Sequence, residues 1–160
     1  MTDQLREIVI EKEDAVFRLD ANGRWHNQHG RFQHKKVIDY FHTCIKKDSH
    51  GFYLTQERDG CLEKVYFPYE ETAYFVFNVI VGDDIVLVLN TKQRLNLDPG
   101  QLCIKEDNLY LRHEADIIKF TDRCMMRIAA FMEERAGGYD FVFQGKKYPI
   151  VTVDSFRNNR

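Results

Sequence analysis

Two apolar runs in the middle of the chain limit its architecture more than any other feature. Ala73 to Val81 is apolar except for Asn78, Ile85 to Leu89 is wholly apolar, and Gly82-Asp83-Asp84 turns between them. Runs this short cannot span a bilayer and have the length of buried strands. Strands without polar alternation require cover on both faces of their sheet. The chain offers two helices to supply it.

Val37, Ile38, Phe41, Cys44 and Ile45 fall at helical spacing and predict a helix from about His34 to Lys47, stopped by Asp48-Ser49-His50-Gly51. Ile117, Phe120, Cys124, Ile128 and Phe131, widened by Ile118, Met125 and Met132, predict a second from about Asp116 to Arg135, with Gly137-Gly138 as its stop. Ahead of the first helix, Ala15, Phe17 and Leu19 alternate with Val16, Arg18 and Asp20, the period of a half-buried strand. Asn22-Gly23 then predicts a type I′ hairpin that returns Trp25 to the apolar face. Strands follow at Phe52 to Gln56 and Leu62 to Phe67 around an Asp59-Gly60 turn, and again at Asp140 to Phe143 and Tyr148 to Val153.

Hairpin, helix and Gly-led strand occur twice in the same order: FRLDANGRW, HKKVIDYFHTCIKK and GFYLT, then CIKEDNLYL, ADIIKFTDRCMMRIAAFMEER and GYDFVF. The expected fold is therefore α+β, a duplicated hairpin–helix–strand unit with mostly antiparallel sheets and two main helices. The expected units are residues 13–69 and 70–154. A chain of 160 residues, 44% hydrophobic, can bury a core without disulfides.

The ordered residues Asp20, Gly23, Trp25, Arg31, Phe41 and Gly51-Phe52-Tyr53 resemble the opening of a bacterial family of uncharacterised proteins, DUF1285. The resemblance continues through the apolar hairpin, Asn108-Leu109-Tyr110-Leu111-Arg112 and Phe143 to Ile150, covering about residues 15–150. It implies a duplicated fold whose C-terminal half is similar to a pleckstrin-homology barrel, and a ligand-binding role in nucleotide-based signalling at the interface of the halves. The segments Gln56-Glu57-Arg58 and Pro68 to Phe75 depart from the family's Pro-Val-Glu and Val-Glu-Asp-x-Pro-Phe runs.

The residues exclude several functions. With 23 basic against 25 acidic residues, the net charge of −2 argues against a dedicated duplex nucleic-acid binder. No GxSxG, P-loop or GxGxxG is present, and the serines are confined to Ser49 and Ser155. The adjacent acids Glu70-Glu71 and Asp83-Asp84 point to opposite sides of an extended chain, so they form no catalytic dyad. Arg123 and Arg127 have the spacing of an Arg-x-x-x-Arg cyclic-dinucleotide reader, but its second element is absent. His26, His29 and His34 lie around the first loop without a completing Cys or carboxylate; a histidine-based metal enzyme is the weakest reading. Cys44, Cys61, Cys103 and Cys124 form no CxxC pair, and a charged N-terminus without an apolar core predicts no signal peptide and a cytoplasmic protein with no transmembrane segment.

Arginines and aromatics remain. Arg24, Arg31, Arg58, Tyr66, Tyr69 and Tyr74, with Trp25 and Lys64 nearby, combine guanidinium forks with flat stacking surfaces, a mix that suits a nucleotide-type anion and also an ordinary half-exposed β surface. The sequence reading is a non-catalytic, cofactor-free ligand-binding or signalling protein with those six residues in the crevice between the halves. Its rival is a protein–protein adaptor that receives a partner strand on an exposed edge.

Overall fold

The structure is a computed structural model, and it describes residues 5–156. The chain forms two compact units, one up to Ala73 and the other from Tyr74. The fold is α+β with largely antiparallel sheets, as expected. Parallel pairing joins Arg6–Ile10 to Cys61–Tyr66, Phe75–Val81 to Asp116–Phe120 and Leu102–Lys105 to Lys146–Thr152, and an isolated parallel bridge joins Leu19 to Tyr69.

The first unit contains β1 (Arg6–Ile10), β2 (Phe17–Leu19), β3 (Trp25–Asn27), β4 (Gly30–Arg31), α1 (Lys35–Thr43), β5 (Lys46–Asp48), β6 (Gly51–Arg58) and β7 (Cys61–Tyr66). β2-β3-β4 make a small sheet; the others form a four-stranded sheet in the order β1-β7-β6-β5. An aromatic cluster fills this unit. Trp25 lies 4.9 Å from Phe67, 5.4 Å from Phe41 and 5.8 Å from Phe17 between ring centroids, all edge-on. Its buried indole N–H donates to His42 Nδ1 at 3.3 Å.

Two expectations are corrected here. The first helix ends at Thr43, not Lys47: Cys44 caps it at φ −89°, ψ −7°, and Lys46 and Lys47 instead pair with Tyr53 and Phe52. Ile45 fits a helical stripe and a strand equally well, so spacing alone could not separate them. The first hairpin is not a two-residue type I′ turn. Residues 20–24 connect Leu19 to its partner Trp25, and only Gly23 takes a positive φ, 76°. The Asp20 side chain accepts from the amides of Asn22 and Arg24 and holds this longer loop closed. The Asp59-Gly60 turn, by contrast, has both residues at positive φ, 52° and 73°, as type I′ demands.

The second unit contains β8 (Phe75–Val81), β9 (Ile85–Leu89), β10 (Arg94–Asn96), β11 (Leu102–Lys105), β12 (Asn108–His113), β13 (Asp116–Phe120), α2 (Asp122–Ala129), β14 (Met132–Arg135), β15 (Gly138–Phe143) and β16 (Lys146–Thr152). Its nine strands run in the order β10-β9-β8-β13-β12-β11-β16-β15-β14. Val76, Val79, Leu87, Leu111, Ile118, Ile128 and Phe141 centre its core. The apolar hairpin forms as expected, but double cover does not. Ile85, Leu87 and Leu89 are buried while Val86 and Val88 are half-buried, and Ile80 and Val81 are 39% and 43% exposed.

The long second helix is the largest correction. Residues 116–135 are strand, helix and strand. Lys119 and Ile118 pair with Tyr110 and Leu111, so β13 belongs to the sheet. Thr121 then takes an extended conformation (φ −65°, ψ 158°), and its side chain accepts from the Cys124 amide at 3.3 Å, starting α2. Gly137 serves the β14–β15 turn, with Arg135 opposite Gly138, and is not a helix stop.

One run of elements recurs. In each unit the helix is followed by a two-residue link and a three-strand antiparallel meander with two-residue turns. The last strand of each meander pairs in parallel with a strand that precedes the helix, β7 with β1 and β16 with β11. Ahead of the helices the units differ, because β2–β4 form their own sheet whereas β12 and β13 join β11. No helix among the described residues is long and apolar enough to cross a membrane.

If Thr121 starts α2, Thr121→Ala should cost about 1 kcal/mol, read as a lower denaturant midpoint with unchanged slope. An unchanged midpoint would mean that the side chain does not cap the helix.

Candidate functional site

The outer face of β2-β3-β4 gathers charge because the inner face is committed to the core. Phe17 and Leu19 are buried, so Arg18 between them points outward. Trp25 is buried, so His26 points outward. The register places Arg18 opposite His26 and His26 opposite Arg31, setting the three abreast on one face. His26 Nε2 meets Asp20 Oδ2 at 2.6 Å. Burial pushes the Asp20 carboxyl up, but hydrogen bonds from His26 and from the amides of Arg24 and Asn22 outweigh it and hold the group below its ordinary 3.8. The guanidinium groups of Arg18, Arg24 and Arg31 are exposed and make no hydrogen bond or ion pair among the described residues.

A second cluster lies on the β5–β7 meander. Asp48 Oδ2 accepts from Lys64 Nζ at 2.7 Å and from the Tyr66 hydroxyl at 2.6 Å. Lys64 Nζ also sits 4.3 Å from the Tyr53 ring centroid and 5.3 Å from that of Tyr66. Pairing of Tyr53 with Tyr66 and of Thr55 with Lys64 aligns these groups on one face. The hydrogen bonds of Lys64 and Tyr66 hold the Asp48 carboxyl far below 3.8, and Asp48 in turn pushes Lys64 well above 10.5 and raises Tyr66.

The six residues expected to line one crevice have different settings. Arg24 and Arg31 belong to the small sheet's arginine-rich region. Tyr66 is tied into the Asp48–Lys64 cluster. Arg58 ends β6 opposite Cys61, five residues along β7 from Tyr66, so it lies on the other face of that sheet. Tyr69 is a packing residue: it meets Phe52 edge-on at 4.8 Å, bridges Leu19, and carries Lys12 Nζ 5.3 Å from its ring centroid. Tyr74 opens the second unit and lines a cavity of about 140 Å³ with His113 and Asp116. Burial pushes its phenol up from 10.0, and the Asp116 charge adds to the shift.

The three loop histidines have separate surroundings: His26 is bonded to Asp20, His29 to Gln28, and His34 caps α1 through its backbone. No group of three or more His, Cys, Asp or Glu side chains that could hold a metal ion occurs among the described residues. Sequence reasoning missed Arg18, the Asp20–His26 pair and Asp48. Alternation around Phe17 and Trp25 carried the signal for the first two; Asp48 was read only as a helix stop.

No family profile matches the sequence, and no curated protein does. Two crystal structures of DUF1285 family proteins share its fold. One, from Silicibacter pomeroyi, has a TM-score of 0.62 at 15% identity, over 93% of this chain and 85% of the other. The other, from Shewanella baltica, has a TM-score of 0.52 at 15% identity, over 74% of this chain and 94% of that one. The fold is thus that of DUF1285 proteins, in agreement with the resemblance carried by the sequence.

The Asp48 shift sets a pH dependence. A carboxyl depressed below its unfolded value of 3.8 stabilises above that pH, and the contribution is lost as pH falls through the folded value. Lys64, raised above 10.5, stabilises below that pH and loses the effect as pH rises through its folded value. Asp48→Asn should therefore melt lower than the native protein at pH 6, and the two melting curves should converge as pH falls from about 4 toward 2. Parallel curves across that window would show that the Asp48 ion pair does not contribute to stability.

Proposed function

We propose that the chain is a non-catalytic ligand-binding module of a signalling type, and that its first unit takes a phosphate-bearing anion of nucleotide type on the outer face of β2–β4. The observation that carries this reading is the row Arg18–His26–Arg31, with both guanidinium groups unpaired. Adjacent strands stand about 4.8 Å apart, so the two arginine backbones flank His26 at roughly 10 Å, a span that a diphosphate can bridge between two guanidinium forks. The net charge of −2 makes this basic row a local feature.

A binding role fits the protonation states better than catalysis does. A general acid or base works best with its pKa near the working pH. Asp20 and Asp48 are driven further into their ionised range, and Lys64 further into its protonated range. Four free thiols, at Cys44, Cys61, Cys103 and Cys124, suit a reducing compartment, and we place the protein in the cytoplasm.

One observation favours the adaptor reading. β1 is the edge of its sheet and exposes Ile8 and Val9 at 40% and 49%, with Leu5 just ahead of it at 40%. A partner strand added there would be abolished by a proline at Ile8, whereas anion binding on β2–β4 would survive it.

Calorimetric titration with pyrophosphate, ATP and a cyclic dinucleotide tests the leading reading. Arg31→Ala and Arg18→Ala should each weaken binding by about tenfold or more, the worth of a charge-assisted hydrogen bond, without lowering the melting temperature. Affinity unaffected by both substitutions would end this assignment.

A further inference from the structure

We propose that His26 gates the row Arg18–His26–Arg31 by proton uptake, so that the row holds an anion more tightly in mildly acidic than in mildly alkaline conditions. This rests on the anion reading of that row and names its regulation. Histidine is the side chain whose charge changes between pH 5 and 8. The ladder sets His26 opposite Arg18 on one side and opposite Arg31 on the other. Cβ atoms so placed stand about 5 Å apart. Asp20, two residues beyond Arg18, meets His26 Nε2 at 2.6 Å, and the side chains of His26 and Asp20 are only 21% and 17% exposed. Water screens a pair so covered less than it screens a free surface charge.

That contact decides which nitrogen titrates. Burial pushes the Asp20 carboxyl up, yet hydrogen bonds from His26 and two amides hold it below its ordinary 3.8, so it stays an ionised acceptor. The His26 nitrogen that faces it therefore carries hydrogen in both charge states, and Nδ1 is the one that gains or loses a proton. With Nδ1 bare, the row offers an anion two guanidinium groups and a lone pair between them. With Nδ1 protonated, it offers a third cation and one more N–H donor. The groups around the ring pull in opposite directions. The Asp20 carboxylate favours the proton, whereas Arg18 and Arg31, with Arg24 on the same strand, oppose it. An anion seated across the arginines cancels their opposition, so anion and proton each favour binding of the other. Asp20 also accepts from the amides of Asn22 and Arg24, so a charged His26 strengthens the carboxylate's hold on the loop that carries Arg24.

The test titrates the full chain with a cyclic dinucleotide and with sulfate, whose charges stay fixed from pH 5.5 to pH 8. Affinity for both should rise about fourfold between pH 8 and pH 5.5 in low salt, the worth of one added charge about 5 Å away in water. At pH 7, calorimetry in two buffers of different ionisation enthalpy should show protons taken up with the anion. His26→Gln keeps a side-chain N–H for Asp20 and does not titrate; it should still bind at pH 8 and lose both the pH dependence and the proton uptake. Asp20→Asn should move the tightening to lower pH. On the unaltered protein, adding the anion at pH 7 should move the His26 ring resonances toward their acid positions, a readout that needs no variant. Equal affinity at the two pH values, or a pH dependence that survives His26→Gln, overturns the inference and leaves the anion reading standing. If neither probe binds at either pH the inference falls, and the anion reading falls with it unless pyrophosphate still binds.

Discussion

The burial of Trp25 decides which way β3 faces, and the candidate anion site depends on that choice. The indole is 1% exposed, touches Phe17, Phe41 and Phe67, and places its N–H on His42. Truncating a buried tryptophan typically costs about 3–5 kcal/mol, so a register slip that exposed it is heavily penalised. With Trp25 inward, His26 must lie outward, and the pairing with Arg18 and Arg31 follows from the ladder alone. The aromatic core and the charged face are therefore two sides of one constraint.

The second unit is governed differently, by where the chain switches between periodicities. Between Asp116 and Arg135 the apolar residues satisfy a helical stripe, yet only Asp122–Ala129 is helical. Ile117 and Ile118 are β-branched and pair with β12, the aromatic Phe120 pairs with Val76 of β8, and Thr121 interrupts them with a side chain able to cap. The cost of leaving the sheet at that point is offset by capping and by burial of Cys124 and Ile128.

Much of the fold was legible in the sequence. The strand periods around Phe17 and Phe52, the Asp59-Gly60 turn and the central apolar hairpin all rest on local chemistry that one chain segment expresses by itself. The fold shared with DUF1285 proteins was legible through ordered landmarks such as Trp25 and Gly51-Phe52-Tyr53. The two misread helices share one cause. At Ile45 and across residues 116–135, spacing admits both a period of 3.6 and a period of 2, and tertiary pairing chooses. The placement of the candidate residues was legible only in part. Arg24 and Arg31 share the small-sheet hairpin, but Arg58 is turned to the far face of its sheet and Tyr69 is spent on packing, facts set by register over distances that residue types do not encode. Asp48 was invisible as a partner because Lys64 and Tyr66 lie 16 and 18 residues away.

The parallel closures β1–β7 and β11–β16 have a kinetic consequence. Each meander joins its strands through two-residue turns, while the closing strand lies roughly 40 to 50 residues from its partner. Lengthening a connection from two residues to about fifty adds roughly 3 kcal/mol of loop entropy. The meander therefore assembles early and β1 docks late. A strand that arrives last on an open edge is also the first to leave. In β1, the first of the described strands, that makes the β1–β7 seam the part of its sheet that opens most readily.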